Sequence, residues 1–133
     1  MFYQNNEIIF LTEEQIIEIH NSCIVDFGGA FGVRDANILK SAVYQPQITF
    51  DGEYLYKTIP EMAAAYLISL SKDHPFIDGN KRVGFKACTI FLEMNNYILL
   101  LNNDEAVDLT LKCLSGEYSK EDIVRIIVEN TIH

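Results

Sequence analysis

The sequence predicts an all-α domain, and three kinds of observation carry that expectation. Apolar residues recur at three- and four-residue intervals through most of the chain, helix-start signatures precede these runs, and Gly or Pro stands where several of them stop. At 133 residues and 49% hydrophobic content, the chain suits one compact domain with a real core.

Thr12, with Gln15 three residues on, has the spacing of a reciprocal N-cap, and Ile16, Ile17, Ile19, Ile24 and Phe27 follow at near-helical intervals. A first helix is therefore expected to run to Phe27, where Gly28-Gly29 can take positive φ and end it. Asp35 starts a shorter helix with Ile38, Leu39, Ala42 and Val43 as its buried stripe, and Pro46 forbids continuation past about Gln45. Residues 46–57 lack helical period. Ile48-Thr49-Phe50 and Tyr54-Leu55-Tyr56 flank Asp51-Gly52, the pattern of a small hairpin or flap.

A second reciprocal cap is expected at Thr58 and Glu61, with Pro60 in the first turn, where its missing N–H costs nothing. Met62 to Ile68 is apolar nearly all round, so this helix should be central and buried. Pro75 ends it at about His74, Asp78-Gly79 makes a turn, and a second central helix starts around Asn80 and runs toward Asn95-Asn96. Tyr97 to Leu101 reads as a short extended segment. Asn102 or Asn103 caps the next helix, Gly116 stops it, and Ser119 opens a last one whose stripe is Ile123, Ile126 and Ile127. No repeat, low-complexity tract or linker interrupts the chain.

Composition excludes some functions. A net charge of -9 disfavours nucleic acid as a partner, since phosphates demand clustered Lys and Arg. No apolar run approaches membrane-spanning length, and the opening Met-Phe-Tyr-Gln-Asn-Asn-Glu lacks the order of a signal peptide, so neither a membrane nor a secretory route is expected and the cytosol is. Cys23, Cys88 and Cys113 are odd in number, far apart and set among apolar neighbours, as buried reduced thiols would be.

One segment concentrates the chemistry. Residues 74–82 read His-Pro-Phe-Ile-Asp-Gly-Asn-Lys-Arg. Four of the ten basic residues, Lys72, Lys81, Arg82 and Lys86, fall between positions 72 and 86 beside only Asp73 and Asp78, a local balance of +2. A small cationic island in an acidic chain fits a small anion such as a nucleotide phosphate. A loop ending in Gly79-Asn80 ahead of a helix offers unpaired N–H groups and a positive dipole end to such an anion, with Lys81 as a mobile charge and Arg82 as a planar fork. Asp78 suits a Mg²⁺ ion, which in nucleotide sites takes one or two carboxylates plus phosphates and water. His74 alone in the segment titrates near neutrality and is the candidate to take a proton from an attacking hydroxyl. Phe76 reads as an apolar pin fixing the loop to the core, while His20 reads as an ordinary helix residue and His133 as a frayed terminus. An Asp-Gly turn between two helices, with a capping Asn and a core-facing His, accounts for much of the same pattern without chemistry.

The segment closely resembles the signature of Fic-domain proteins, His-Pro-Phe-x-(Asp/Glu)-Gly-Asn-(Gly/Lys)-Arg, and its Lys81 resembles the death-on-curing (Doc) branch. Leu-Thr-Glu-Glu at 11–14, His20, Phe-Gly-Gly-x-x-Gly-Val-Arg-Asp at 27–35, Leu39 and Ala42, and Phe-Leu-x-x-Asn at 91–95 are similar to that branch too. The resemblance implies a Fic-like helical bundle and a toxin of a toxin–antitoxin pair that uses ATP and Mg²⁺ to modify a hydroxyl of a protein target. Carried over by position, it implies His74 as general base, Asp78 as Mg²⁺ ligand, and Gly79, Asn80 and Arg82 as the phosphate-binding set, with residues 46–57 as a flap that aligns the target.

Typical Fic enzymes transfer AMP to Ser, Thr or Tyr, whereas the Doc branch is known for phosphorylating a Thr of elongation factor Tu with the nucleotide turned around. Two departures from the AMP-transferring pattern favour phosphorylation: Lys81 replaces a Gly, and Phe85 stands where a second Arg is usual. Asp78-Gly79 is the commoner Fic form, which leaves AMP transfer as the alternative and an idle Fic-fold binding module as a third reading. Fic proteins are often silenced by a (Ser/Thr)-x-x-x-Glu-(Gly/Asn) helix. Here Glu129-Asn130 has Arg125 four residues before the Glu, so a small antitoxin acting in trans is expected.

Overall fold

The computed structural model describes residues 7–133, so nearly all of the opening stretch that was read for a signal peptide lies outside the described residues. Six α-helices follow in order, α1 (Glu13–Phe27), α2 (Ala36–Tyr44), α3 (Ile59–Asp73), α4 (Asn80–Met94), α5 (Asn103–Ser115) and α6 (Lys120–Glu129). Two antiparallel strand pairs complete the described chain, β1 (Thr49–Phe50) with β2 (Glu53–Tyr54) and β3 (Ile98–Leu99) with β4 (Thr131–Ile132). The architecture is the expected all-α one. No helix among the described residues is long and apolar enough to cross a membrane.

The helix starts show local sequence at work. Thr12 and Gln15 exchange side-chain-to-backbone bonds at α1, as do Asn102 with Glu105 at α5 and Ser119 with Asp122 at α6, each satisfying two otherwise orphaned N–H groups. At α3 the cap is one-sided. The Thr58 hydroxyl accepts from the Glu61 N–H, but the Glu61 carboxylate accepts from that same hydroxyl instead of reaching the Thr58 backbone. Helix α2 stops at Tyr44 and tightens into a 3₁₀ turn, Gln45–Gln47, that carries the buried Pro46.

In the hairpin, Thr49 pairs with Tyr54 and Phe50 with Glu53 across Asp51-Gly52, whose φ angles of 54° and 80° match the right-handed twist of the strands. The second pair was half foreseen. The extended segment after Asn96 finds its partner at Thr131–Ile132, and the His133 ring stacks on Tyr97 at 4.3 Å, so the expected frayed terminus is instead held by an aromatic contact.

The core is organised around α3 and α4. Met62 through Leu67, Leu70, Val83, Ala87, Cys88, Phe91 and Leu92 are all nearly inaccessible to solvent, and α3 also meets α2, α5 and α6. Each fully buried Leu or Phe here contributes about 2 kcal/mol of transfer free energy. Close approach of the two central helices depends on Gly84, because a Cβ there would lie 2.4 Å from Ser71 Oγ and 3.1 Å from the Leu67 carbonyl. Polar ties fix the rest. Tyr66 Oη accepts from the Leu11 N–H, and Asn95 both donates to and accepts from the Ile9 backbone, binding the segment before α1 to α3 and α4. All three cysteines are buried and unpaired, as expected.

Candidate active site

The segment 74–82 forms the α3–α4 junction. His74 terminates α3 in the left-handed conformation, with φ 53° and ψ 56°, a backbone setting that costs a non-Gly residue about 1 kcal/mol and therefore has to be held by its surroundings. Arg34 supplies one hold, its Nε donating to the His74 carbonyl at 2.6 Å and its Nη2 to the Asp73 carbonyl at 3.1 Å. The guanidinium thus satisfies the carbonyls at the negative end of α3. The loop is further stitched to residues 30–35 by N–H groups of Arg34 and Asp35 donating to the Pro75 carbonyl, by Ile77 N–H donating to the Gly32 carbonyl, and by a bridge between Val33 and Phe76.

Phe76 is the pin that the sequence suggested, 1% exposed and stacked flat on His20 at 3.8 Å. His20 corrects the sequence reading of an ordinary helix residue. It is 1% exposed, and its Nε2 lies 2.7 Å from the Asp78 carbonyl. Nothing local in the sequence announces this, because the partner is a backbone oxygen 58 residues away. Only membership of the Doc-like pattern singled the residue out.

Asn80 is buried, and its amide closes a ring with Phe76, the side-chain oxygen accepting from Phe76 N–H at 3.0 Å and Nδ2 donating to the Phe76 carbonyl at 3.0 Å. The same Nδ2 stands 3.4 Å from His74 Nδ1. That contact is at the long limit of a hydrogen bond and leaves the exposed imidazole free to present either nitrogen. In the described geometry Asn80 shapes the loop.

Asp78 is exposed and faces the 28–30 turn. Its Oδ1 accepts from Gly79 N–H at 2.9 Å and its Oδ2 from Ala30 N–H at 3.2 Å. Gly29 makes room for it, since a Cβ there would fall 2.7 Å from Asp78 Oδ2. Gly79 is the N-cap of α4 with φ 76°, and no side chain caps the helix. The first N–H groups of a fifteen-residue helix are therefore left beside Lys81 and Arg82, both exposed. The Arg82 guanidinium lies 4.0 Å over the Phe27 ring, and the salt bridges of the described residues lie elsewhere, at Lys112 and Arg125.

This donor set fits a Mg²⁺-bound nucleotide phosphate. One carboxylate with lone pairs to spare, an uncapped helix N-terminus and two cations match what such a group requires, and no group of three or more metal-ligating side chains occurs among the described residues. Cys23, on α1 behind these cations, is buried. Burial pushes its thiol pKa up despite the opposing pull of Lys86 and Arg82.

The sequence profile of the Fic/DOC family matches residues 10–92, a span that runs from just before α1 to the last turn of α4 and contains the whole junction. The chain belongs to the Fic/DOC family. Among similar proteins, Toxin Doc of Mycolicibacterium smegmatis is 40% identical over 80 residues, covering 60% of this chain and 62% of that protein. Protein kinase doc of Escherichia phage P1 is 26% identical over 113 residues, covering 85% and 88% respectively. The His20–Asp78 and Arg34–His74 bonds are the details of this Fic/DOC chain that the motif alone did not reveal.

Proposed function

We propose that this chain is a Doc-type toxin that transfers the γ-phosphate of ATP to a Ser or Thr hydroxyl of a protein target, with elongation factor Tu as the first candidate. In this reading the N–H groups at the start of α4, with Lys81 and Arg82, receive the phosphates. Asp78 holds Mg²⁺, which supplies charge neutralisation between phosphates. His74, exposed at the mouth of the junction, accepts the proton of the target hydroxyl as its oxygen bonds to the γ-phosphorus. The bond between the γ-phosphorus and the bridging oxygen breaks, ADP leaves, and His74 returns its proton to solvent.

The observation that carries phosphate transfer over AMP transfer is Phe85. Three residues past Arg82, it is half-buried and packs against the core, so α4 brings no second guanidinium to the phosphates from the position where AMP-transferring relatives carry one. Intact-mass spectrometry of elongation factor Tu incubated with ATP, Mg²⁺ and this protein tests the reading. A phosphate adduct that His74→Ala abolishes is expected, and an AMP adduct, or an unmodified target, overturns it.

Silencing is proposed to come from a small antitoxin in trans. Arg125 stands four residues before Glu129, where the inhibitory helix carries Ser or Thr, and pairs with it along α6 at 3.5 Å. A groove lined by Phe10, Leu11, Val43 and Tyr44 offers an apolar track for an antitoxin tail that folds on binding. Purification of the protein as a fully active and toxic monomer, with no partner gene beside its own, contradicts this part.

A further inference from the structure

The proposed transfer makes no use of His20, yet its imidazole is 1% exposed and bonds directly to the junction. A ring buried at this depth for packing alone would be better apolar, since a polar group taken from water has to recover its hydrogen bonds. A phenyl ring would stack on Phe76 equally well. What it would lack is a donor. The Asp78 carbonyl has no proton to give, so at 2.7 Å it is His20 Nε2–H that donates.

The peptide unit joining Asp78 to Gly79 is thereby tied at both ends. Its oxygen is held by His20 and its N–H by the Asp78 side chain itself, at 2.9 Å. The ring lies directly against the turn, because a Cβ on Gly79 would stand 3.5 Å from Nε2 and 3.7 Å from Cδ2. Releasing the carbonyl frees this peptide to rotate, and with it the carboxylate that faces Ala30 and the first N–H groups of α4.

We propose that His20 is a positioning residue, whose Nε2–H locks the Asp78–Gly79 peptide so that the Asp78 carboxylate and the α4 N-terminus present one fixed geometry to a Mg²⁺-bound phosphate. The functional part rests on the reading of Asp78 as the Mg²⁺ ligand. The structural part does not.

Two substitutions separate donor from ring. His20→Phe keeps the stack on Phe76 and removes the donor, whereas His20→Gln places an amide N–H near the position of Nε2 and removes the stack. Amide hydrogen exchange at Gly79 in the nucleotide-free protein should be about tenfold faster in His20→Phe and near wild type in His20→Gln. The Mg²⁺ concentration for half-maximal transfer should rise about tenfold or more in His20→Phe and little in His20→Gln. The reverse order, with Phe tolerated and Gln defective, assigns His20 to packing and overturns the proposal. Should His20→Phe not fold, ¹⁵N spectra of the wild-type ring decide, since Nε2 is expected to carry a proton in slow exchange with water and a bare Nε2 refutes the bond. If the wild type transfers nothing, the kinase reading fails while exchange and ring spectra still judge the role of His20.

Discussion

Gly29→Ala, measured against Gly28→Ala, isolates the contribution of Asp78. Both glycines have positive φ, 87° at Gly28 and 116° at Gly29, and with ψ 174° Gly28 sits in a region that is essentially glycine-only, so an alanine at either position strains the backbone by about 1–3 kcal/mol. Only Gly29 adds a collision. A Cβ at Gly28 meets nothing within 4 Å, whereas one at Gly29 would lie 2.7 Å from Asp78 Oδ2 and 3.1 Å from Ile24 Cδ1. The carboxylate must swing away and give up its bond from Ala30 N–H, an exposed charge-assisted bond worth about 1 kcal/mol. Thermal unfolding should therefore fall by about 4–12 °C in Gly28→Ala and by about 4 °C more in Gly29→Ala. Mg²⁺ titration of transfer should leave Gly28→Ala unchanged and weaken the apparent Mg²⁺ affinity of Gly29→Ala by about tenfold or more. Equal Mg²⁺ affinity in the two variants, with equal unfolding temperatures, would refute the placement of Asp78 against this turn.

Other consequences are as direct. Ser71 Oγ is buried without a hydrogen-bond partner among the described residues, so Ser71→Ala should stabilise the fold by about 1 kcal/mol, while Gly84→Ala should destabilise it by about 1–3 kcal/mol by forcing α3 from α4. In denaturant unfolding, the double variant should recover part but not all of that loss, because the Leu67 carbonyl remains 3.1 Å from the new Cβ. Arg34→Met removes both donors from the end of α3 and should lower transfer at least about tenfold while circular dichroism stays native. His74→Gly should abolish transfer yet raise stability by about 0.5–1 kcal/mol, because glycine adopts the left-handed backbone at no steric cost. Burial pushes the Cys88 thiol up to about 12 from 9.0 and the Tyr66 hydroxyl up to about 12 from 10.0. The unfolded chain releases these protons first, so stability should be full below about pH 9 and fall as pH rises toward 12, and Cys88→Ala should flatten the slope in denaturant melts.

The helices were legible because their starts and stops are local. Thr12, Asn102 and Ser119 each carry their own capping partner three residues away, and Gly28, Pro46 and Gly116 end what precedes them. Thr58 shows the limit of that logic, since a serviceable cap can form with half the expected bonds. The hairpin was legible from Asp51-Gly52, but β4 was not, because two residues at 131–132 acquire strand geometry only by pairing with Ile98 and Leu99.

At the junction, the motif showed which residues gather, and the fold showed what some of them do. Asn80 spends its amide on Phe76, a task invisible in a pattern that suggested phosphate contact or capping. His20 and Arg34 both act on backbone carbonyls across long sequence separations, and carbonyls leave no trace in composition or spacing. Arg82 rests on Phe27, an exposed residue that helical periodicity grouped only with the apolar positions of α1.

The central claim is that the group transferred is the terminal phosphate and that His74 enables it. It is tested most directly by incubating elongation factor Tu with this protein and ATP carrying radiolabel at either the γ- or the α-phosphorus. The account predicts label on the target from γ-labelled ATP alone, lost in His74→Ala. Label from α-labelled ATP, or undiminished γ-label in the variant, contradicts it.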